Sequence, residues 1–220
     1  MAELGATQPQ RLWDAPTRLF HWLLVLLVAF SWWSAENHRL DWHRLSGYAV
    51  IALLAFRLYW GFFGASTARF ASFVRGPKAA LAHVGDLRAP SAGHNALGGW
   101  SVLAILAALI AQVSLGLFAV DVDGLESGPL SHLVDFDAGR AAAEAHEIVF
   151  NVLLGLIALH VAAIAFYLLY AKRNLTGAMI TGRAALPAGA RARFAPAWRI
   201  LPGLAIAVLL AWAISKGFKF

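Results

Sequence analysis

The stretch EAHEIVFNVLLGLIALHVAAIAFYLLY, residues 144–170, is long and apolar enough to cross a bilayer, yet it holds two histidines, His146 and His160. On an α-helix their separation is about 1400° of turn and ~21 Å of rise, within about 40° of four complete turns. Both imidazoles therefore project from nearly one face, each close to one edge of a hydrocarbon core ~30 Å thick. An ionisable residue at membrane depth is expensive and marks a site, and two on a common face make chance placement a poor explanation. What each histidine meets on the neighbouring helices decides the rest.

Around this stretch lies a chain of 220 residues, 60% hydrophobic and 14% charged, a balance far from that of a soluble domain and typical of an integral membrane protein. Cysteine is absent, which removes disulfides, iron-sulfur ligation and covalent haem attachment together. Any cofactor must be held by histidine. The net charge of +6 does not argue for nucleic acid, because the basic residues lie in loops beside apolar spans, where they report topology. Residues 1–17 carry two acids, a Trp and two prolines without a small-residue cleavage pattern, so they do not read as a signal peptide.

Four more apolar runs complete an all-α reading. Residues 19–34 follow Asp14-Ala15-Pro16-Thr17, a helix start with Pro in the opening turn, and His21 sits in the first turn. Residues 45–63 form the second span, with His43 at its entrance. The third, 97–120, follows Gly93-His94-Asn95 and contains Gly98, Gly99 and Gly116, small enough to let helices or a flat ring approach. After the fourth span, residues 201–214 are long enough for a fifth, flanked by Trp198 and Trp212. The loop 64–96 carries a net +3 and the segment 171–199 a net +6, whereas 121–145 is an acidic loop of net −5. With the N-terminus, these two basic segments hold twelve Lys/Arg against five on the opposite side. The positive-inside rule makes the rich side cytoplasmic, with the acidic loop and the C-terminus outside.

That topology sorts the histidines. His21 and His160 share the cytoplasmic level, and His43 and His146 share the outer one. Two imidazoles complete six-coordinate haem iron and leave no open position, which favours electron transfer, and facing helices of a bundle commonly build such sites. Each histidine alone could simply anchor a helix end at the interface. A zinc-type site fits less well, since each level offers two side-chain ligands where zinc takes three or four.

The same residues resemble the bacterial cytochrome b561 family, related to the b-type cytochrome subunit of nickel-iron hydrogenases. The resemblance covers roughly residues 11–183 and rests on WDAPTRLFHW at 13–22, WHRLSGY at 42–48, RLYWGF at 57–62, GHNALGG at 93–99, AHE at 145–147 and LHVA at 159–162. It implies a four-helix bundle holding two b haems, with His21 and His160 on the cytoplasmic haem and His43 and His146 on the outer one. The dihaem domain is then 1–183, and 184–220 is a basic cytoplasmic segment with the fifth helix. That helix lies outside the familiar unit, and Ala96 stands where many relatives have Pro.

Two further residues join the candidate site. Arg57, ~21 Å along the second helix from His43, falls at the cytoplasmic level, where its guanidinium either pairs with a haem propionate or snorkels. His94 begins the third helix on that side and either bonds a propionate, lines a quinone pocket or caps the helix. His38, His83 and His132 read as solvated loop residues, and the aromatics as belt or core. The expectation is a transmembrane dihaem cytochrome passing electrons between the quinone pool, with ubiquinone as candidate, and an extracytoplasmic partner such as a basic c-type cytochrome. The alternatives are a non-catalytic anchor subunit of a hydrogenase-like or other dehydrogenase complex, a superoxide oxidase, and a transporter using histidine relays.

Overall fold

The computed structural model describes residues 8–76, 78, 93–186 and 191–219. His83 and most of the basic loop after Gly76 lie outside the described residues. Helix α1 spans Ala15–Glu36 and α2 Leu40–Phe63. A single turn, α3, follows at Phe70–Phe73, then α4 at Ala96–Phe118, α5 at Phe136–Leu169, α6 at Leu175–Thr181 and α7 at Ile200–Ser215. Five of these, α1, α2, α4, α5 and α7 with its lead-in turn, are long and apolar enough to cross a membrane.

The ends of the helices are set by their polar residues. Asp14 accepts a hydrogen bond from the Thr17 amide at 2.9 Å and starts α1 four residues earlier than the apolar run alone suggests. Helix α2 likewise begins at Leu40, which puts His43 inside its first turn. The largest difference is in α5. Residues 136–145, expected within the acidic loop, are helical because Asp135 caps the Ala138 amide at 2.7 Å, Asp137 lies in the first turn where the helix dipole favours an anion, and Ala141–Ala143 propagate the helix.

The all-α expectation also lacks one small feature. Strand β1 (Gln8–Arg11) pairs antiparallel with β2 (Arg183–Leu186), Gln8 opposite Leu186 and Arg11 opposite Arg183. Gly182 turns the chain from α6 into β2 at φ +76°, a left-handed conformation that suits glycine, and its carbonyl accepts from the amides of Leu12 and Trp13. The Arg18 side chain donates to the carbonyls of Met179 and Ile180 at the end of α6.

Inside the bundle Phe20 from α1, Val50 and Leu54 from α2, Leu106 and Leu109 from α4 and Leu153 from α5 form one buried cluster. Lipid is as apolar as these side chains, so close packing rather than burial holds the helices together. Helix α7 packs on the other side of α2, where Ala207 meets the layer of Phe56 and Trp60. The Arg199 guanidinium donates to the Phe63 carbonyl at the end of α2, and the segment leading into α7 is tied to Ser66 by two bonds with Arg193, at 2.8 and 2.9 Å. Trp60 reaches the first helix too, donating its indole N–H to the buried Asp14 carboxylate at 2.8 Å.

Candidate functional site

His43, in the first turn of α2, and His146, on α5, face each other with ring centroids 6.1 Å apart and planes at 83°. Two metal–imidazole bonds of about 2 Å each, together with the ring radii, span about 6 Å between centroids. The second nitrogen of each ring is occupied. Nδ1 of His43 lies 2.9 Å from the Ser31 carbonyl and Nδ1 of His146 lies 2.8 Å from the Gln112 carbonyl. A carbonyl only accepts, so both Nδ1 atoms carry the proton and both Nε2 atoms present a lone pair. This is how metal-ligating histidines are held.

Around the two rings is a cavity with about 1110 Å³ of empty space, counting its open side, walled by apolar residues of α1, α2, α4 and α5 and carrying Glu36, Arg44 and Glu147 in its lining. Two glycines shape it. A Cβ at Gly47, one turn beyond His43, would meet nothing within 4 Å, and one at Gly116 would come 2.9 Å from the His146 ring. Gly116 is therefore what lets α4 approach α5 behind the imidazole.

At the opposite level His21 and His160 are within electrostatic reach of one another, and His94 is within reach of Arg57, His160 and His21. Three buried polar atoms there have no hydrogen-bond partner among the described residues: Nδ1 of His21, Nη1 of Arg57 and Nδ1 of His94. Arg57 is only 4% exposed and its guanidinium lies 4.9 Å from the Phe70 ring centre, so it does not snorkel to the interface. The His94 ring sits 4.8 Å from Trp13 and 4.7 Å from Phe73. Burial, with the nearby Arg57 charge adding to it, pushes the His94 pKa down to about 3, so the imidazole is neutral at physiological pH. The Asn95 side chain, and not His94, caps α4, accepting from the Gly98 amide at 2.7 Å.

His43 and His146 are thus neighbours at one level, and His21 and His160 are within reach of one another at the other. Among the described residues no group of three or more His, Cys, Asp or Glu side chains is arranged to hold a metal ion by itself. Two residues in contact with the site were missed in the sequence: Ser31 and Gln112. Gln112 carried a signal, being the one amide in the apolar run 97–120.

The model of the prokaryotic cytochrome b561 family matches residues 12–182. The chain belongs to that family. No curated protein and no solved structure matches it. As a cytochrome b561 family member, with five apolar helices, it is an integral membrane b-type cytochrome of electron transfer whose cofactor is haem b. The match ends just before β2, so α7 lies outside the matched residues.

Proposed function

We propose that this cytochrome b561 carries two haem b groups, one between His43 and His146 and one between His21 and His160, and conducts electrons across the membrane between ubiquinone or another quinone of the membrane pool and an extracytoplasmic redox partner. The observation that carries the reading is the His43–His146 pair, spaced for one iron, with both Nδ1–H groups committed to backbone carbonyls. The orphaned nitrogens of Arg57 and His94 support the second site, since the two propionates of a haem would satisfy them. The charge asymmetry of the loops supports an orientation with His43 and His146 outward.

When bound, haem would supply a one-electron iron couple, held by the imidazoles of His43 and His146 at one level and of His21 and His160 at the other. The protein's part is to hold the ligands. Ser31 and Gln112 fix the outer tautomers, the Phe20–Leu153 cluster separates the two levels, and Arg57 supplies a buried positive charge at the inner one. By helix rise the levels are about 20 Å apart.

Haem content decides the matter. Pyridine haemochrome on purified, monodisperse protein is expected to give two haems per chain. His146→Ala is expected to leave one, and His160→Ala to leave the other, with a different midpoint potential. A stably inserted His146→Ala protein that has lost both haems, or neither, would refute independent sites.

A further inference from the structure

Gln112 grips both nitrogens of one imidazole. Its main-chain carbonyl accepts from Nδ1–H of His146 at 2.8 Å, and its side-chain Nε2 lies 3.0 Å from Nε2 of the same ring. The first bond fixes the proton on Nδ1, so Nε2 of His146 is an acceptor and the amide N–H must be the donor. The opposite amide orientation would set an oxygen against the ring's lone pair. The price is visible: Oε1 of Gln112 is buried without a hydrogen-bond partner among the described residues. This amide thus donates to the ring nitrogen while its own oxygen stays orphaned, in the wall of the cavity that the ring faces.

We propose that Gln112 is a positioning residue that sets how tightly the outer site takes up haem, because its side-chain amide and the iron compete for the single lone pair on Nε2 of His146. The proposal rests on the reading that His43 and His146 share a haem, and it adds that the site is tuned below its greatest affinity. The side chain keeps His146 neutral, aimed and hydrogen-bonded until iron replaces the amide. Gln112 touches the ligand and not the reacting electron, so its effect is on loading.

Two substitutions move affinity in opposite directions. Gln112→Leu removes the competing donor and leaves a buried acceptor that only iron satisfies. One hydrogen bond's worth of competition lost makes haem binding at this site roughly two- to tenfold tighter. Gln112→Glu sets acceptor oxygens against the lone pair, a repulsion that turns the ring out of line, and weakens binding by a similar factor or more. Both variants keep the main-chain carbonyl, so the tautomer-fixing bond survives.

The test is a haemin titration of full-length protein made under haem limitation and purified in detergent, read as Soret absorbance, with His146→Ala as reference. Tighter binding for the leucine variant and weaker for the glutamate variant, in the phase that His146→Ala abolishes, is the expected result. A structural role alone would weaken both. If both variants bind like the wild type, or both more weakly, the competition is refuted while the shared haem stands. If His146→Ala removes no phase, the shared haem itself is refuted and the proposal falls with it.

Discussion

Arg57 shows what one residue does when it is denied water. A cation 4% exposed, with one nitrogen unpartnered and a Phe ring 4.9 Å away, is a large local charge in a medium that screens it little. If it faces the haem of His21 and His160, it opposes the more positive, oxidised form of that iron. Arg57→Leu is then expected to lower the midpoint potential of the inner haem and spare the outer one, measured by redox titration with both haems present. Two unchanged midpoints would detach Arg57 from the site. At this scale the sequence was legible where chemistry stands out from its surroundings. Four histidines and an arginine stand out in or beside apolar runs, and helix rise together with loop charge assigns them to two levels. Gln112 and Ser31 were not found, because what they do depends on how closely α4 meets α5 and α1 meets α2, and no spacing within one helix encodes that. Nor does spacing distinguish a snorkelling arginine from a buried one.

Among the elements, α7 lies outside the residues matched to the family, and its packing suggests a clamp on α2. Gly203 is the point of closest approach: a Cβ there would stand 2.6 Å from the Tyr59 ring, with Phe56 at 3.1 Å. Gly203→Leu should therefore force α7 off α2. Overpacking of this kind destabilises by about 1–3 kcal/mol, which for a chain of this size lowers the unfolding temperature by roughly 2–10 °C. Scanning fluorimetry in detergent would measure it, with haem content expected to hold because α7 carries no ligand. An unchanged transition would mean that α7 does not support α2. The five apolar helices were readable from hydrophobic length. The early start of α5 was hidden because its first turns are acidic and alanine-rich, and an acidic run looks like a loop until Asp135 is seen to cap it. The β1–β2 ribbon was hidden for another reason. Four-residue strands without an apolar alternation take their identity from a partner far away in the chain.

Taken whole, the molecule has one acidic end. Asp123, Asp135, Asp137 and Glu144 are exposed on the side where the His43–His146 cavity opens, with Glu36, Asp41 and Glu147 beside them. Two of the cations there are paired: Arg44 with Asp41 at 2.6 Å and Glu126 at 3.1 Å, and Arg140 with Glu144 at 3.9 Å. Carboxylates outnumber cations at this end, so its field repels an anion such as superoxide and favours a basic protein such as a c-type cytochrome. Replacing Asp121, Asp123, Asp135 and Asp137 with Asn, which keeps the cap at 135, should slow electron exchange with such a cytochrome roughly tenfold at low salt and little at high salt, in stopped-flow measurements. An unchanged rate would sink the docking idea. The opposite end of the molecule carries the short ribbon, and its consequence concerns time. Strand β2 leaves the ribosome only after β1 and the four membrane helices between the two strands have been made. At ordinary rates of synthesis the wait is roughly 10–35 s. Through that interval the newborn chain has its first helix in the membrane and its first strand unpaired. The ribbon is therefore the seam that closes the domain, and an assembly intermediate caught on the ribosome would be recognised by its open N-terminal edge.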